Sequence, residues 1–593
     1  MKRRHELPFG AELVGDGVRF RLWAPKAKAV ALRLEGQGDL EMARSPGGWF
    51  ERVAPSAGPG SRYHYLVDGR SVPDPASRFQ PADVHGPSEV IDPTAYHWRD
   101  AAWRGRPLAE LVFYELHTGS FSAAGTFAGI AEHLDHLIAL GVTAVELMPV
   151  ADFPGRRNWG YDGVLPFAPD AQYGRPEDLK RLVDTCHASG LAVFLDVVYN
   201  HFGPEGNYLH LYAPGFFTER HTTPWGAAID MERPEVRQFY IENALYWLEE
   251  FHLDGLRFDA VHAIRDDSKP PILVELAETV RQRFGGDREI HLVLENDGNE
   301  AHLLAERLFD GQWNDDLHHA LRTLTTGADD GYYADYADQP IERLGRALAE
   351  GFAYQGEASA YRSARRGEPS AHLPPTSFVA FIQNHDQVGN DAFGRRLGKR
   401  ATPAAIRVAA AIYLLSPQLP LLFMGEEWGA DQPFPFFCDF TGELAQAVRE
   451  GRRREFAKFA AFRDPAARAR IPDPTADATF ASAVLDWSAI ERPEHRAWLA
   501  WYRQMLRLRA AEIAPRLKGM AGHGGEWRPL AARALAVTWR LGDGSRLSLF
   551  ANFAETVVAL GALPAGRILY ASHKEPGAVL PPHSVIYALS APA

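Results

Sequence analysis

Cysteine is nearly absent: the 593 residues include two, Cys186 and Cys438. Two thiols cannot build a disulfide framework, so a reducing, cytoplasmic compartment is expected, with both thiols inert. Long apolar runs are missing too, and with no stretch of about 18 apolar residues no membrane-spanning helix is expected. The start, Met1-Lys2-Arg3-Arg4-His5-Glu6, is basic. No apolar segment follows it, so no secretory leader is expected. Positive charge is in deficit, with 63 Lys and Arg against 76 Asp and Glu and a net charge of -13. That disfavours a polyanionic partner such as nucleic acid and leaves neutral substrates open. Also lacking are a metal-ligand spacing such as H-E-x-x-H, a P-loop and a dinucleotide fingerprint. No metal and no cofactor is expected.

What is present is enough apolar material for a large core, 46% of the chain. The length exceeds one ordinary domain and suits a barrel of roughly 250 to 400 residues with smaller modules. From residue 9 to about 90, apolar and polar residues alternate at Val18, Phe20 and Leu22, at Val30, Leu32 and Leu34, and at Tyr63, Tyr65 and Val67. The last run ends at the turn pair Asp68-Gly69. Short strands with such turns predict an immunoglobulin-like β-sandwich.

From about Leu111 the pattern changes to apolar runs of strand length separated by helical stretches. Strands are predicted at Leu111–Leu116, Ala144–Val150, Ala192–Val198, Gly255–Asp259, His291–Glu295, Gly311–Asn314, Phe378–Gln383 and Leu419–Met424. Between the first two, Thr126 can cap a helix whose buried face is Phe127, Ile130, Leu134, Leu137 and Ile138. Apolar strands alternating with helices imply a parallel sheet covered on both faces. Eight units predict a (β/α)₈ barrel, with an open doubly wound sheet as the alternative. From about Trp527 the pattern returns to β, predicting a small C-terminal β-sandwich. The expected domains are 1–95, 96–520 and 521–593.

In a (β/α)₈ barrel, functional residues gather where strands end. Strand three ends in Asp196-Val197-Val198-Tyr199-Asn200-His201, and strand four in Arg257-Phe258-Asp259-Ala260-Val261-His262. Strand five ends in Glu295-Asn296-Asp297, and strand seven in Gln383-Asn384-His385-Asp386-Gln387. One polar strand end is unremarkable, but four on one rim are not. Arg257 and Asp259 are two apart on a strand and share a face. The guanidinium is expected to lower the Asp259 pKa and keep it ionised, as a nucleophile requires. Glu295 follows the apolar Leu292, Val293 and Leu294, an approach expected to raise its pKa and suit a general acid. Two carboxylates in opposed environments are the pattern of glycoside cleavage.

These strand ends resemble the signature regions of family-13 glycoside hydrolases, the α-amylase group. The match covers Asp196 to His201, Gly255 to Asp259, Glu295, and Asn384-His385-Asp386, in the family's order. The resemblance implies Asp259 as nucleophile, Glu295 as acid/base and Asp386 as the group that binds sugar hydroxyls in the transition state. It places Arg257, His201 and His385 around the cleaved glucose. Tyr161, within Asn158-Trp159-Gly160-Tyr161-Asp162, is similar to a stacking tyrosine, with Trp159 and Asp162 beside it. It also implies retention through a covalent glucosyl intermediate, with the two carboxyl groups roughly 5 to 5.5 Å apart.

Further stretches narrow the resemblance: Leu147 to Val150, Asp259 to Asp266, Gln383 to Asn390, Trp313 to His319 and Met424 to Gly429. They are similar to the branch that cuts the α-1,4 bond beside the terminal trehalose of maltooligosyltrehalose. On that reading Asn314, Asp315, His318, His262, Asn384, Gln387 and Asn390 contact the substrate. Branching and debranching enzymes share the fold and the carboxylates and are the rival readings. A non-catalytic glucan-binding protein is a remote one, since all three carboxylates are present.

Overall fold

The computed structural model describes residues 1–592 except 3, 224–225, 306–307, 562–564 and 574–576. At the N-terminus two sheets face each other. One contains Gly10–Val14, Gly17–Trp23, Ala43–Ser45 and Trp49–Ala54; the other contains Val30–Leu34, Asp39–Glu41, Arg62–Val67 and Arg70–Val72. The alternation read from sequence is the packing. Val18, Phe20, Leu32 and Tyr65 are each 0% exposed and meet between the sheets. Asp68 and Gly69 both take positive φ, 49° and 82°, which closes the two-residue hairpin.

The predicted barrel is present and closed. Its strands are β1 (Phe113–Leu116), β2 (Ala144–Leu147), β3 (Ala192–Val197), β4 (Gly255–Phe258), β5 (His291–Leu294), β6 (Gly311–Trp313), β7 (Phe378–Ala380) and β8 (Leu419–Phe423). All pair in parallel, and β1 joins both β2 and β8. Phe113, Ala144, Phe194, Val293, Phe381, Leu419 and Leu421 pack together as the apolar plug of the interior. Gly255 lies at this level because a Cβ there would stand 2.1 Å from the Phe194 ring. Helices such as Pro176–Ala188, Pro234–Glu250 and Pro403–Leu415 cover the outside.

One helix departs from its prediction. Thr126 does cap it, accepting from Gly129 N at 3.2 Å, but the helix breaks into Phe127–Ala131 and Leu134–Leu140. The break shifts the phase, so Leu140 replaces Ile138 on the buried face and Ile138 is 41% exposed. The C-terminal module is a five-stranded sheet, Gly525–Ala531, Ala534–Arg540, Arg546–Asn552, Arg567–Ala571 and Ser584–Ser590. The pair Val558–Ala559 and Val579–Leu580 packs on it through Ala534, Leu580 and Ile586. Trp539 donates to Leu348 O at 2.9 Å and ties the module to the barrel. Among the described residues no helix is long and apolar enough to cross a membrane.

Candidate active site

Along each barrel strand, side chains two residues apart share the interior. Two steps above the apolar plug, the inward residues become charged: Glu115 above Phe113, Glu146 above Ala144, Asp196 above Phe194, and Glu295 above Val293. On β4 the same face carries Arg257 and then Asp259. Arg257 is 0% exposed and lies over the Trp313 ring at 4.1 Å. Its Nη1 donates to Asp196 and, at 3.0 Å, to Asp259 Oδ1. Its Nη2 donates to Glu295 Oε2 at 2.8 Å. One guanidinium therefore joins Asp259 to Glu295.

The second oxygen of Asp259 accepts from Asn200 Nδ2 at 2.8 Å. Immediately after it, Ala260 adopts a left-handed conformation, φ 41° and ψ 48°. That turn aims the Ala260 N–H at Glu295 Oε2, 2.9 Å away. A non-glycine residue held there stores strain, a cost tolerated where geometry matters. On the other side of the cleft, His385 N donates to Glu115 Oε2 at 3.0 Å, and its Nδ1 meets Glu115 Oε1. His385 Nε2 lies 3.6 Å from Asp386 Oδ1. The Tyr161 ring stacks on His385 at 5.0 Å, and its hydroxyl donates to Asp196 at 2.6 Å.

Carboxylates outnumber cations on this rim, and the pKa shifts follow. Burial pushes Glu295 up, and the negative Asp259 adds to it against the pull of Arg257. Asp386 is also raised by burial, opposed by His385. Asp315 is raised well above its ordinary value by burial, with Glu295, Asp297 and Asp386 adding. The expected lowering of Asp259 is not found: its pKa is raised. Burial outweighs Arg257, which is shared with Asp196 and Glu295 and is not spent on Asp259 alone. Burial alone would lower His385, but Glu115 and Asp386 outweigh it and push it up to about 9. Glu146, 1% exposed, has no hydrogen-bond partner for either oxygen among the described residues. Burial and Glu115 raise its pKa well above the ordinary carboxylate value.

The structure brings Asp259, Glu295, Asp386, Arg257, Tyr161, His385 and Asp315 to one rim. Gln387 donates to Asp315 Oδ1 at 3.2 Å, His262 Nδ1 accepts from Asp297 N at 3.3 Å, and Asn390 is exposed. Both ring nitrogens of His201 are engaged, Nδ1 by Asn200 and Nε2 by Tyr161 O. Asp162 accepts from Asn158 Nδ2 at 2.7 Å. Four expected substrate contacts have polar groups turned to the protein. Trp159 is 5% exposed, packs on Phe434 and donates to Pro435 O. Asn314, 0% exposed, caps the helix Asp315–Thr326 and donates to Gly351 O. His318 is 1% exposed, with Nδ1 against Ile382 O. Asn384 caps its own helix through Gln387 N. These bonds give the Trp159 indole N–H, the Asn314 amide, the His318 ring and Asn384 Oδ1 partners within the wall, which offsets the cost of burying them.

Asn200, Ala260, Trp313 and Glu115 were not singled out by sequence reasoning. For Glu115 a signal existed, a lone carboxylate in the apolar run Phe113-Tyr114-Glu115-Leu116. For Ala260 none did, because alanine gives no hint of a left-handed backbone.

A closed barrel with these residues at its rim defines a glycoside hydrolase of the α-amylase group. Family models agree: alpha amylase, catalytic domain, matches residues 86–213, and carbohydrate-binding module 48 (isoamylase N-terminal domain) matches 8–95. Residues 522–587 match a domain of unknown function, DUF3459. The malto-oligosyltrehalose trehalohydrolase of Deinococcus radiodurans is 44% identical over 90% of this chain and 89% of its own. That of Saccharolobus solfataricus is 41% identical over 85% and 87%. A 1,4-alpha-glucan branching enzyme of Ralstonia nicotianae is 36% identical over 47% of this chain and 40% of its own. A Salmonella typhimurium crystal structure assigned to the alpha amylases superposes with TM-score 0.94 at 47% identity, covering 99% of this chain and 100% of that one. The chain belongs to the malto-oligosyltrehalose trehalohydrolase family.

Proposed function

We propose that the protein hydrolyses the α-1,4 bond beside the terminal trehalose of maltooligosyltrehalose, with retention, releasing trehalose and a maltooligosaccharide. In the first step an Asp259 oxygen bonds to the anomeric carbon while Glu295 gives its proton to the departing trehalose oxygen. In the second, Glu295 takes a proton from water, whose oxygen displaces Asp259 from that carbon. Asp386 and His385 hold the hydroxyls of the reacting glucose. The observation that carries this reading is the single Arg257 guanidinium bonded to both Asp259 and Glu295. It keeps nucleophile and acid close together, as retention needs, and Asn200 shares the charge of Asp259.

Beside Asp386 a cleft of about 370 Å³ opens between Arg322, Tyr332, Tyr333, Gln387 and Asn390. Tyrosine faces and hydrogen-bonding groups suit further rings of the same oligosaccharide. Asp315 and His262 are the groups proposed to recognise the trehalose end. The divisions 1–95, 96–520 and 521–593 are the proposed domains, and two buried thiols support a cytoplasmic location. The test is chromatography of products from maltooligosyltrehalose and from plain maltooligosaccharide. Free trehalose, with much slower cutting of the plain chain, is expected. New α-1,6 branches, or equal rates on both substrates, would move the protein to a branching or amylase activity.

A further inference from the structure

The turn 80–86 lies within the segment that matches a carbohydrate-binding module, yet it is packed into the barrel loops. Gln80, 0% exposed, holds the turn from inside, its Nε2 donating to Asp83 O and Gly86 O at 3.2 Å each. Asp83 takes a left-handed φ of 68°. Its Oδ1 accepts from Val84 N at 2.6 Å, and its Oδ2 accepts from Gly155 N at 3.0 Å, in the loop after β2. His85 Nδ1 lies 2.8 Å from the Tyr208 hydroxyl, in the loop after β3. The turn is therefore tied to both loops, and it presents Val84 on a fixed backbone.

Val84 is 0% exposed and forms a small core with Val164, Leu165 and Ala168, with Phe202 packed against it. Val164 lies three residues past Tyr161, and Phe202 directly follows His201. The two loops are joined backbone to backbone in front of this core. His201 Nε2 lies 2.8 Å from Tyr161 O, and Gly203 N donates to Gly163 O at 3.1 Å. The approach leaves no room for side chains. A Cβ at Gly203 would stand 2.0 Å from Asp162 O, and one at Gly206 would stand 2.6 Å from Val84 Cγ2 and 3.0 Å from Val164 Cγ2. Val84 thus fills the seam from behind, while Tyr161 stacks on His385 at its cleft side.

A close-packed seam transmits displacement, and a gap of one or two methyl groups lets its walls relax inward. We infer that Val84 is a positioning residue, a wedge from the N-terminal module that sets the loops carrying Tyr161 and His201 against the reacting glucose. The inference rests on the roles proposed for those two residues. The N-terminal module then shapes the catalytic cleft as well as flanking it.

The test uses the full chain with maltooligosyltrehalose as substrate. Val84→Ala opens the seam, and kcat should fall roughly tenfold or more, since a misplacement of about 1 Å can cost about 10²-fold. KM should change less, because Tyr161 and His201 act on the reacting ring and the rest of the oligosaccharide supplies most of the binding. Val30→Ala is the control, a valine 1% exposed on another strand of the same module. It should lower the thermal midpoint comparably and leave kcat unchanged. Val84→Thr keeps the shape of the wedge but buries a hydroxyl, so it should lose stability and keep most of kcat. Gly206→Ala pushes on the wedge from the opposite side and should reproduce the loss of kcat even if Val84→Ala fails to fold. Crystals of Val84→Ala should show residues 160–164 and 200–206 displaced against the barrel strands, with Asp259 and Glu295 in place. Loops that stay where they are, or a kcat loss no larger than that of Val30→Ala, overturn the inference. The displacement is read whatever products the cleft releases, so this inference and the proposed function fail separately.

Discussion

Strand β4 has an aspartate just before it and another just after it, and the two are treated in opposite ways. Asp254, 1% exposed, accepts from Trp103 Nε1 at 2.7 Å, His187 Nε2 at 2.9 Å and Val193 N at 2.9 Å. Burial would raise its pKa, but His187 and Arg288 outweigh burial and lower it. Asp100 joins the same network, bonded to His187 and His252. Asp259, at the other end, shares one arginine with two further carboxylates and is raised. A lowered carboxylate stabilises the fold above its ordinary pKa, and this contribution is lost as pH falls through the lowered value. A raised one stabilises only while protonated and loses that contribution as pH rises through the raised value. Near neutral pH one end of the barrel therefore gains from its buried charge and the other bears a cost for its chemistry.

The largest effect is expected from Asp259→Asn. Hydrolysis should fall by at least about 10³-fold, as when a nucleophile is removed elsewhere. The thermal midpoint should stay level or rise, because a costly buried charge is gone. Near-normal turnover would exclude Asp259 as nucleophile. Asp254→Ala should do the reverse. Leaving His187 and Arg288 without their partner should destabilise by about 3–5 kcal/mol in denaturant unfolding, with kcat per folded molecule kept. Unchanged unfolding there would break the contrast between the two ends.

A pH profile sharpens it. Activity should be bell-shaped, with an acid limb from ionising Asp259 and an alkaline limb from Glu295 and His385, the limbs belonging to the coupled group. His385, at about 9, gives its contribution in full below the ordinary histidine value and loses it as pH rises through 9. Glu115→Gln removes the partner that holds it up, so the alkaline limb should move down by about one unit or more. If that limb stays in place, His385 is not part of it. The smallest effect is expected from Ala260→Gly. Relief of left-handed strain and the added freedom of the unfolded chain nearly cancel, so stability should change by under about 1 kcal/mol. The looser Ala260 N–H should lower kcat more than it raises KM, and equal changes in both would argue against a positioning role.

Much of this was legible in the chain itself. Eight apolar runs with polar ends define the barrel, because a strand buried on both faces must be apolar until it leaves the core. The period of two places Arg257 with Asp259 on one face, and the apolar approach to Glu295 raises it as expected. At Asn314 and His318 the structure shows a helix cap and a wall hydrogen bond, because a polar residue at a strand end can serve the fold or face a cleft, and local sequence does not distinguish the two. The direction at Asp259 was missed because Arg257 is adjacent in sequence, whereas the burial that outweighs it and the carboxylates Asp196 and Glu295 that share it come from the packing of neighbouring strands.

The sequence by itself determined the architecture, which strand ends carry the polar rim and the excess of acid over base. Those depend on periodicity and composition, which are local. Only the tertiary structure decided how one guanidinium is divided among three carboxylates, that Glu115 from β1 charges His385 after β7, and that Ala260 turns its N–H to Glu295. Each depends on distances between strands far apart in the chain, and electrostatic interaction follows distance in space and burial, not order in sequence.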